Sequence, residues 1–304
     1  HGVTVAAASL TGLPVTQNHF DLPVDALGIL RTDHPHYYRG KLGGESETEF
    51  VDRIVGNLES LIVREGPDTI AAFIAEPITG ASGVIVPPAD YYPKVQAVLN
   101  KYDIMFWADE VITGFGRTGN DFGCTTMGID SPHMMTFAKQ LSSAYMPISA
   151  SAIRREMYDA MIDQSANAGA FGHGYTYSGH PVACAVALKT LEIYTRDSIF
   201  EKAAVTGEYL QKRLAEFVDH PLVGEVRGKG LLGALELVAN KETGQAFVGG
   251  AVGGYAQKMA QDSGLLIRAV AGSCLGFCPP LIITPEQIDE MMAKTTIALD
   301  KTLE

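Results

Sequence analysis

Apolar positions along this chain fall into two rhythms that take turns. Short unbroken runs, Ile70 to Ala75, Ile104 to Ala108, Met134 to Ala138 and Ile148 to Ile153, have the length and composition of buried strands. Other stretches carry apolar residues at helical spacing. Phe50, Ile54, Leu58, Leu61 and Ile62 do so within Thr48 to Glu65, which Gly66-Pro67 closes. Val95, Val98, Leu99 and Tyr102 do so within Pro93 to Tyr102, and a longer helical pattern from Val182 to Phe217 is interrupted near Asp197-Ser198. A short helix is expected at Ala6 to Ser9, and residues 13–46 read as irregular. This alternation predicts an α/β fold: a mostly parallel sheet with right-handed crossovers and helices on both faces. After Val223 the pattern changes. A strand at Leu231 to Leu237, a helix near Ala251 to Asp262, a strand at Leu265 to Arg268 and a helix after Pro285, capped by Thr284, predict a small α+β domain. The expected division is a large domain over 1–195 and a small C-terminal domain over 196–304.

The chemistry-bearing residues stand at strand ends, where open α/β sheets bind their ligands. Asp109 and Glu110 end one apolar run and Lys139 ends the next, with a glycine-rich turn from Gly114 to Gly119 between them. One carboxylate and one amine thus face the same edge. That pairing suits pyridoxal phosphate, because a lysine can bond to the cofactor aldehyde while an acid keeps the pyridine nitrogen protonated, so that the ring accepts electrons. Either residue alone is ordinary: an acidic pair after a strand commonly opens a solvated loop, and a lysine there is commonly a surface charge. Gly114, Gly116 and Gly119 also match the dinucleotide fingerprint, as do Gly228, Gly230 and Gly233. That fingerprint works only where a helix follows to receive the pyrophosphate, and Asn120 to Gly123 and Gly128 to Pro132 read as loop.

Joined, the run Asp109-Glu110-Val111-Ile112-Thr113-Gly114-Phe115-Gly116-Arg117-Thr118-Gly119 and the run Ala138-Lys139-Gln140-Leu141-Ser142-Ser143-Ala144-Tyr145-Met146-Pro147 resemble the signature of class III aminotransferases. These are a branch of the fold type I pyridoxal phosphate enzymes, and the resemblance covers nearly the whole chain. It implies a seven-stranded-type sheet and pyridoxal 5'-phosphate as cofactor. Lys139 and Asp109 would be the catalytic pair, Val111 would pack on one ring face, and the Glu76 of Glu76-Pro77-x-x-Gly80 would lie close to the ring. Thr176, in the glycine-rich loop Gly169 to Pro181, would donate to the cofactor phosphate of the partner subunit, which implies a homodimer with shared sites. His1 and Gly2 follow, in the family, an aromatic residue that stacks on the cofactor. That residue and the glycine-serine turn for the phosphate would precede these 304 residues, so the chain is expected to lack the family's N-terminal part. Arg268, ahead of Pro279-Pro280-Leu281-Ile282-Ile283-Thr284, matches the arginine that seats a substrate carboxylate, a task that suits its planar fork. Ala81 stands where ornithine- and GABA-type members carry a glutamate, which points to the ω-amino acid and amine:pyruvate subgroup. Gln140 replaces the glycine usual after the lysine.

The implied reaction moves an amino group from an ω-amino acid or amine to pyruvate, leaving an aldehyde or ketone and alanine. A same-fold aminomutase or decarboxylase would keep Asp109 and Lys139, and a non-catalytic dimerising fragment is the alternative from another class. Composition removes other readings. The net charge of -12 and the lack of a basic stripe argue against nucleic acid. No apolar segment nears the roughly 20 residues of a membrane helix. Four scattered cysteines fit a reducing, cytoplasmic location, and Cys274 and Cys278 lack the second ligand pair of a zinc site. His34 and His36 read as part of an exposed aromatic loop, His173 and His180 as structural, and no metal is expected.

Overall fold

The structure is a computed structural model that describes residues 1–304. The first 46 residues hold two short helices, α1 (Val5–Leu10) and α2 (Tyr37–Gly40), in otherwise irregular chain. Then follow α3 (Glu47–Glu65), β1 (Ala72–Ala75), α4 (Tyr91–Lys101), β2 (Met105–Asp109), α5 (Gly123–Met127), β3 (Met134–Phe137), β4 (Ala150–Ile153) and α6 (Arg155–Ala168). The C-terminal part contains α7 (Pro181–Arg196), α8 (Ile199–Ala215), β5 (Val223–Lys229), β6 (Leu232–Leu237), α9 (Ala251–Asp262), β7 (Arg268–Val270), β8 (Cys274–Phe277) and α10 (Pro285–Leu303). The two longest helices begin with capping boxes, Ser46 with Glu49 and Thr284 with Gln287, each satisfying two otherwise orphaned N–H donors.

The first sheet has the order β1-β2-β3-β4, with β1, β2 and β3 parallel and β4 antiparallel. The resemblance implies a seven-stranded-type sheet; the sheet in this chain has four strands. The antiparallel turn departs from the expected strict alternation because only one short 3-10 turn, Lys139–Leu141, and no α-helix separates β3 from β4. Without a crossover the chain can only reverse direction. Phe106 and Ala108 point into a core with Phe50, Ile54, Leu58, Tyr92, Val95 and Leu99 from α3 and α4. Met105, Trp107 and Asp109, on the opposite face, are only half covered. β2 therefore alternates in burial, although its sequence is apolar throughout.

The second sheet is antiparallel, in the order β5-β6-β8-β7. Every residue of β6 is buried because the strand serves two cores. Leu235 and Leu237 join α8, β8 and α10, while Leu232 and Ala234 join the core beneath the first sheet. At roughly 1.5–3 kcal/mol per buried leucine, that strand binds the two halves of the molecule firmly together. Phe115 and Leu141, from the site-bearing turns, also enter the C-terminal core. Three expected elements need correction. The strand anticipated at Leu265 to Arg268 starts only at Arg268; α6 was not anticipated; and a helix, α5, does follow the glycine-rich turn.

Candidate active site

Parallel register brings the predicted residues to one edge. Ala75 pairs with Ala108 and Asp109 with Thr136, so Glu76, Asp109 and Lys139 all leave their strands at the same end. The Asp109 carboxylate accepts hydrogen bonds from the Val111 amide (3.1 Å) and the Thr136 hydroxyl (3.2 Å), and the His1 amine lies 4.0 Å away. The Glu76 carboxylate accepts from the Gly80 amide at 2.8 Å. Burial pushes the Glu76 carboxyl above the usual range, the Gly80 bond opposes this, and the nearby Asp109 charge adds to it. Burial likewise lowers the Lys139 ammonium, while the charges of Glu76 and Asp109 work to keep it protonated and Arg268 works against it. The same set of charges is thus felt at one amine.

The backbone at Lys139 is unusual. Its φ of +43° lies in the left-handed region that few residues other than glycine adopt. Ser143 and Ala144 share that feature. Strain of this kind persists where surrounding contacts fix it, and it collects at functional sites. Here the Tyr194 hydroxyl donates to the Gln140 carbonyl at 2.9 Å and holds the turn from the other side. Gln140 itself is absent from the positive-φ residues, which explains why the chain tolerates it in place of glycine.

Asp109 and Glu110 are neighbours with different work. Glu110 is fully buried, and its carboxylate accepts from the Thr113 hydroxyl (2.5 Å) and from the Gly123 (2.9 Å) and Cys124 (2.7 Å) amides. It therefore occupies the N-terminus of α5. The dinucleotide reading fails for a better reason than a missing helix: the first N–H groups already have a carboxylate. The glycines serve packing. A Cβ on Gly116 would stand 2.4 Å from the Phe200 ring, and one on Gly123 would stand 2.5 Å from the Thr113 Cβ. Arg117 is buried and donates to the Leu231 (2.9 Å) and Pro279 (2.6 Å) carbonyls, tying the turn to the C-terminal sheet. The roles of Glu110 and Arg117 were missed from sequence; charged residues inside an apolar, glycine-rich turn were the available signal.

The remaining predicted residues divide. Val111 is half-buried beside Asp109, and Gly2 packs against Ala7. Arg268 is exposed at the start of β7, yet its charge reaches Lys139. Thr176 does not join the cluster; it lies in a fully exposed loop flanked by the exposed rings of Tyr175 and Tyr177. The expectation of an exposed loop holds at His34 and is corrected at His36, which is mostly buried with Nε2 3.0 Å from a Glu225 oxygen.

An amine and an acid leave adjoining parallel strands at the same end of an α/β fold, with a strained turn under the amine. A family model described as "Aminotransferase class-III" matches residues 1–299, and the chain belongs to that family. It is 49% identical over 303 residues to "Gamma aminobutyrate transaminase 1, mitochondrial" of Solanum lycopersicum, covering 99% of this chain and 58% of that protein. It is 46% identical over 293 residues to the vanillin aminotransferase of Capsicum chinense, covering 96% and 63%. Among solved structures, an omega transaminase from Pseudomonas jessenii in complex with PMP superposes with a TM-score of 0.96. That structure is 50% identical over 99% of this chain and 66% of its own. The chain therefore spans less than two thirds of the length of these relatives. Its fold is that of the fold type I transaminases.

Class III aminotransferases depend on pyridoxal phosphate, and the residues present fit its ring. The donor set is an amine lowered by burial, an acid fixed by two donors and a second, buried acid. The Thr79 hydroxyl and the Trp107 indole N–H, in the segments that carry Glu76 and Asp109, are buried without partners in the chain. Such groups call for a polar ligand from elsewhere.

Proposed function

We propose that the protein is a pyridoxal phosphate-dependent transaminase that takes an amino group from an ω-amino acid or amine and delivers it to pyruvate. The observation that carries this reading is the convergence of Glu76, Asp109 and Lys139 on one sheet edge, with the Lys139 amine lowered by burial and the charge of Arg268, from the second sheet, acting on it. When bound, the cofactor supplies an electron-accepting ring and a reactive aldehyde carbon.

Lys139 would hold the cofactor through that carbon and, when freed by the donor amine, its amine would serve as the base and then the acid that moves the substrate proton. Burial lowers its pKa, so at a given pH more of this amine is neutral than of a free lysine. Asp109, oriented by the Val111 amide and the Thr136 hydroxyl, would pair with the ring nitrogen of the bound cofactor. Glu76 would border the ring and Val111 would pack on its face. Arg268 binds the carboxylate of pyruvate through a bidentate fork, and its exposure leaves it free to withdraw when the donor carries no acid.

Thr176 serves the phosphate held by a second copy. Its exposure, and that of Phe171, Tyr175 and Tyr177 in the same loop, favours a homodimer whose sites lie across the interface. The donor remains within the ω-amino acids and amines, and relatives named for γ-aminobutyrate keep that compound among them despite Ala81. Four free cysteines favour a reducing compartment, with the cytoplasm as the default; two tomato relatives are named mitochondrial and chloroplastic. No helix is long and apolar enough to cross a membrane.

The test is product analysis with the full-length protein, an amine donor and pyruvate. Alanine should form in step with loss of the donor amine. A decarboxylase or aminomutase would leave pyruvate untouched, and that result would refute the proposal.

A further inference from the structure

Arg227 lies on β5, outside the cluster around Lys139, yet it is among the most heavily bonded side chains in the molecule. Only 6% of it is exposed. Its Nε donates to the Gly83 (2.9 Å) and Val84 (3.2 Å) carbonyls, and its Nη2 to the Gly83 carbonyl (2.7 Å) and the Cys274 sulfur (3.2 Å). Its Nη1 meets the carboxylates of Glu225 and Glu236. Arg39 pairs with Glu236, and His36 stands beside Glu225, so the buried charge is balanced. His36, Glu225 and Glu236 lie close enough together to suggest a metal, but the guanidinium already bridges the two carboxylates.

The acceptors of Arg227 belong to two walls of the candidate site. Gly83 and Val84 form the turn behind Glu76, which is closed by the Thr79–Ile85 bridge and by the Val84 amide on the Gly80 carbonyl (3.1 Å). The Gly80 amide in that turn is the group that holds the Glu76 carboxylate. Val84 has φ of +56°, a costly conformation for a β-branched residue unless its neighbours fix it. On the other side, Cys274 pairs with Val270 in the hairpin whose first residue is Arg268. Gly83 fits against both walls. A Cβ there would lie 3.0 Å from Arg227 Nη2, 3.4 Å from the Cys274 sulfur and 3.5 Å from the Ala271 Cβ.

We infer that Arg227 is a positioning residue that fixes the Glu76 turn against the Arg268 hairpin, setting the distance between the acid that borders the ring and the arginine that receives the acceptor's carboxylate. This rests on the reading of Glu76 and Arg268 given above. Only a planar fork with five donors reaches two carbonyls, a sulfur and two carboxylates at once, so lysine is no substitute.

The test compares Arg227→Met and Arg227→Lys in the full-length, cofactor-loaded protein, with Arg268→Ala alongside. Both Arg227 variants should raise KM for pyruvate by about tenfold, the scale of a lost charge-assisted hydrogen bond, with kcat changed less than about threefold. In the cofactor-free protein, amide exchange at Val84 and Ile85 should quicken by about tenfold while amides of α3 and β2 keep their rates. Unchanged KM with unchanged exchange at Val84 and Ile85 would overturn the inference. So would faster exchange spread evenly over the molecule, which marks a merely structural residue. If Arg227→Met does not fold, Gly83→Ala leaves the arginine in place and should reproduce the exchange signature; wild-type exchange there also counts against the inference. Should Arg268→Ala leave KM for pyruvate intact, the carboxylate role is what fails, and the exchange result still decides the positioning role of Arg227.

Discussion

The carboxyl edge of β1, β2 and β3 and the stretch from Ser143 to Val182 are built on opposite terms. At the edge, the acids have specified donors: Asp109 the Val111 amide and Thr136 hydroxyl, Glu76 the Gly80 amide, and Glu110 a full set. The other stretch holds β4, α6 and the loop of Thr176, and it leaves large apolar side chains in the open. α6 has no buried residue, and Tyr145 and Tyr177 are each 81% exposed. A surface of that kind on a stable protein marks a place where something else docks. The contrast teaches how the work is divided. On the proposed reading, the acids meant for the ring are held by donors within this chain, whereas Thr176 would meet its phosphate on a second copy.

Several experiments would break or sharpen this division. The largest effect is expected at Arg268. Arg268→Ala should raise KM for pyruvate by about tenfold to hundredfold and leave the half-reaction with an uncharged amine nearly intact, as stopped-flow absorbance can follow. On the exposed side, Thr176→Ala should weaken cofactor retention by about tenfold while the melting temperature of the cofactor-free protein stays put. A large drop in that melting temperature would mean that the loop belongs to the fold of one chain and not to its partner's site.

Glu110→Gln should act on stability. Losing the carboxylate that satisfies two amides and a hydroxyl should cost about 2 kcal/mol, read as a fall of several degrees in thermal melting. Cofactor chemistry in the surviving folded protein should be little altered, since Asp109 keeps its own donors. The smallest effect concerns pH. Burial lowers the Lys139 pKa, so at any given pH more of this amine is neutral than of a free lysine. Reloading of the cofactor-free protein should therefore speed up as pH rises and level off below the ordinary lysine value of 10.5. A rise continuing through 10.5 would show that the amine is not desolvated.

Much of the finished region was legible in the sequence, because local rules govern it. Strand ends, the capping pattern of α10 and the run from Asp109 to Lys139 could be read directly, and parallel register did the rest. The unfinished region was harder. α6 buries nothing, so no apolar stripe announces it, and β7 and β8 are too short and too rich in small residues to stand out. The antiparallel return into β4 has no local signal at all. Least legible were the buried charges. In the sequence Glu110 is merely the second half of an acidic pair, whereas the Gly123 and Cys124 amides donate to it from further along, and Arg227 meets partners far away along the chain. Contacts of that range have no periodicity to betray them.

The central claim is that Lys139, facing Asp109 across one aromatic ring, is where the cofactor is held. Borohydride reduction of the cofactor-loaded, full-length protein, followed by peptide mass mapping, tests it most directly. The account predicts one stable pyridoxyl mass addition, on the peptide that contains Lys139, and none in Lys139→Ala. A label on any other lysine, or no label in a protein that still binds the cofactor, would contradict it.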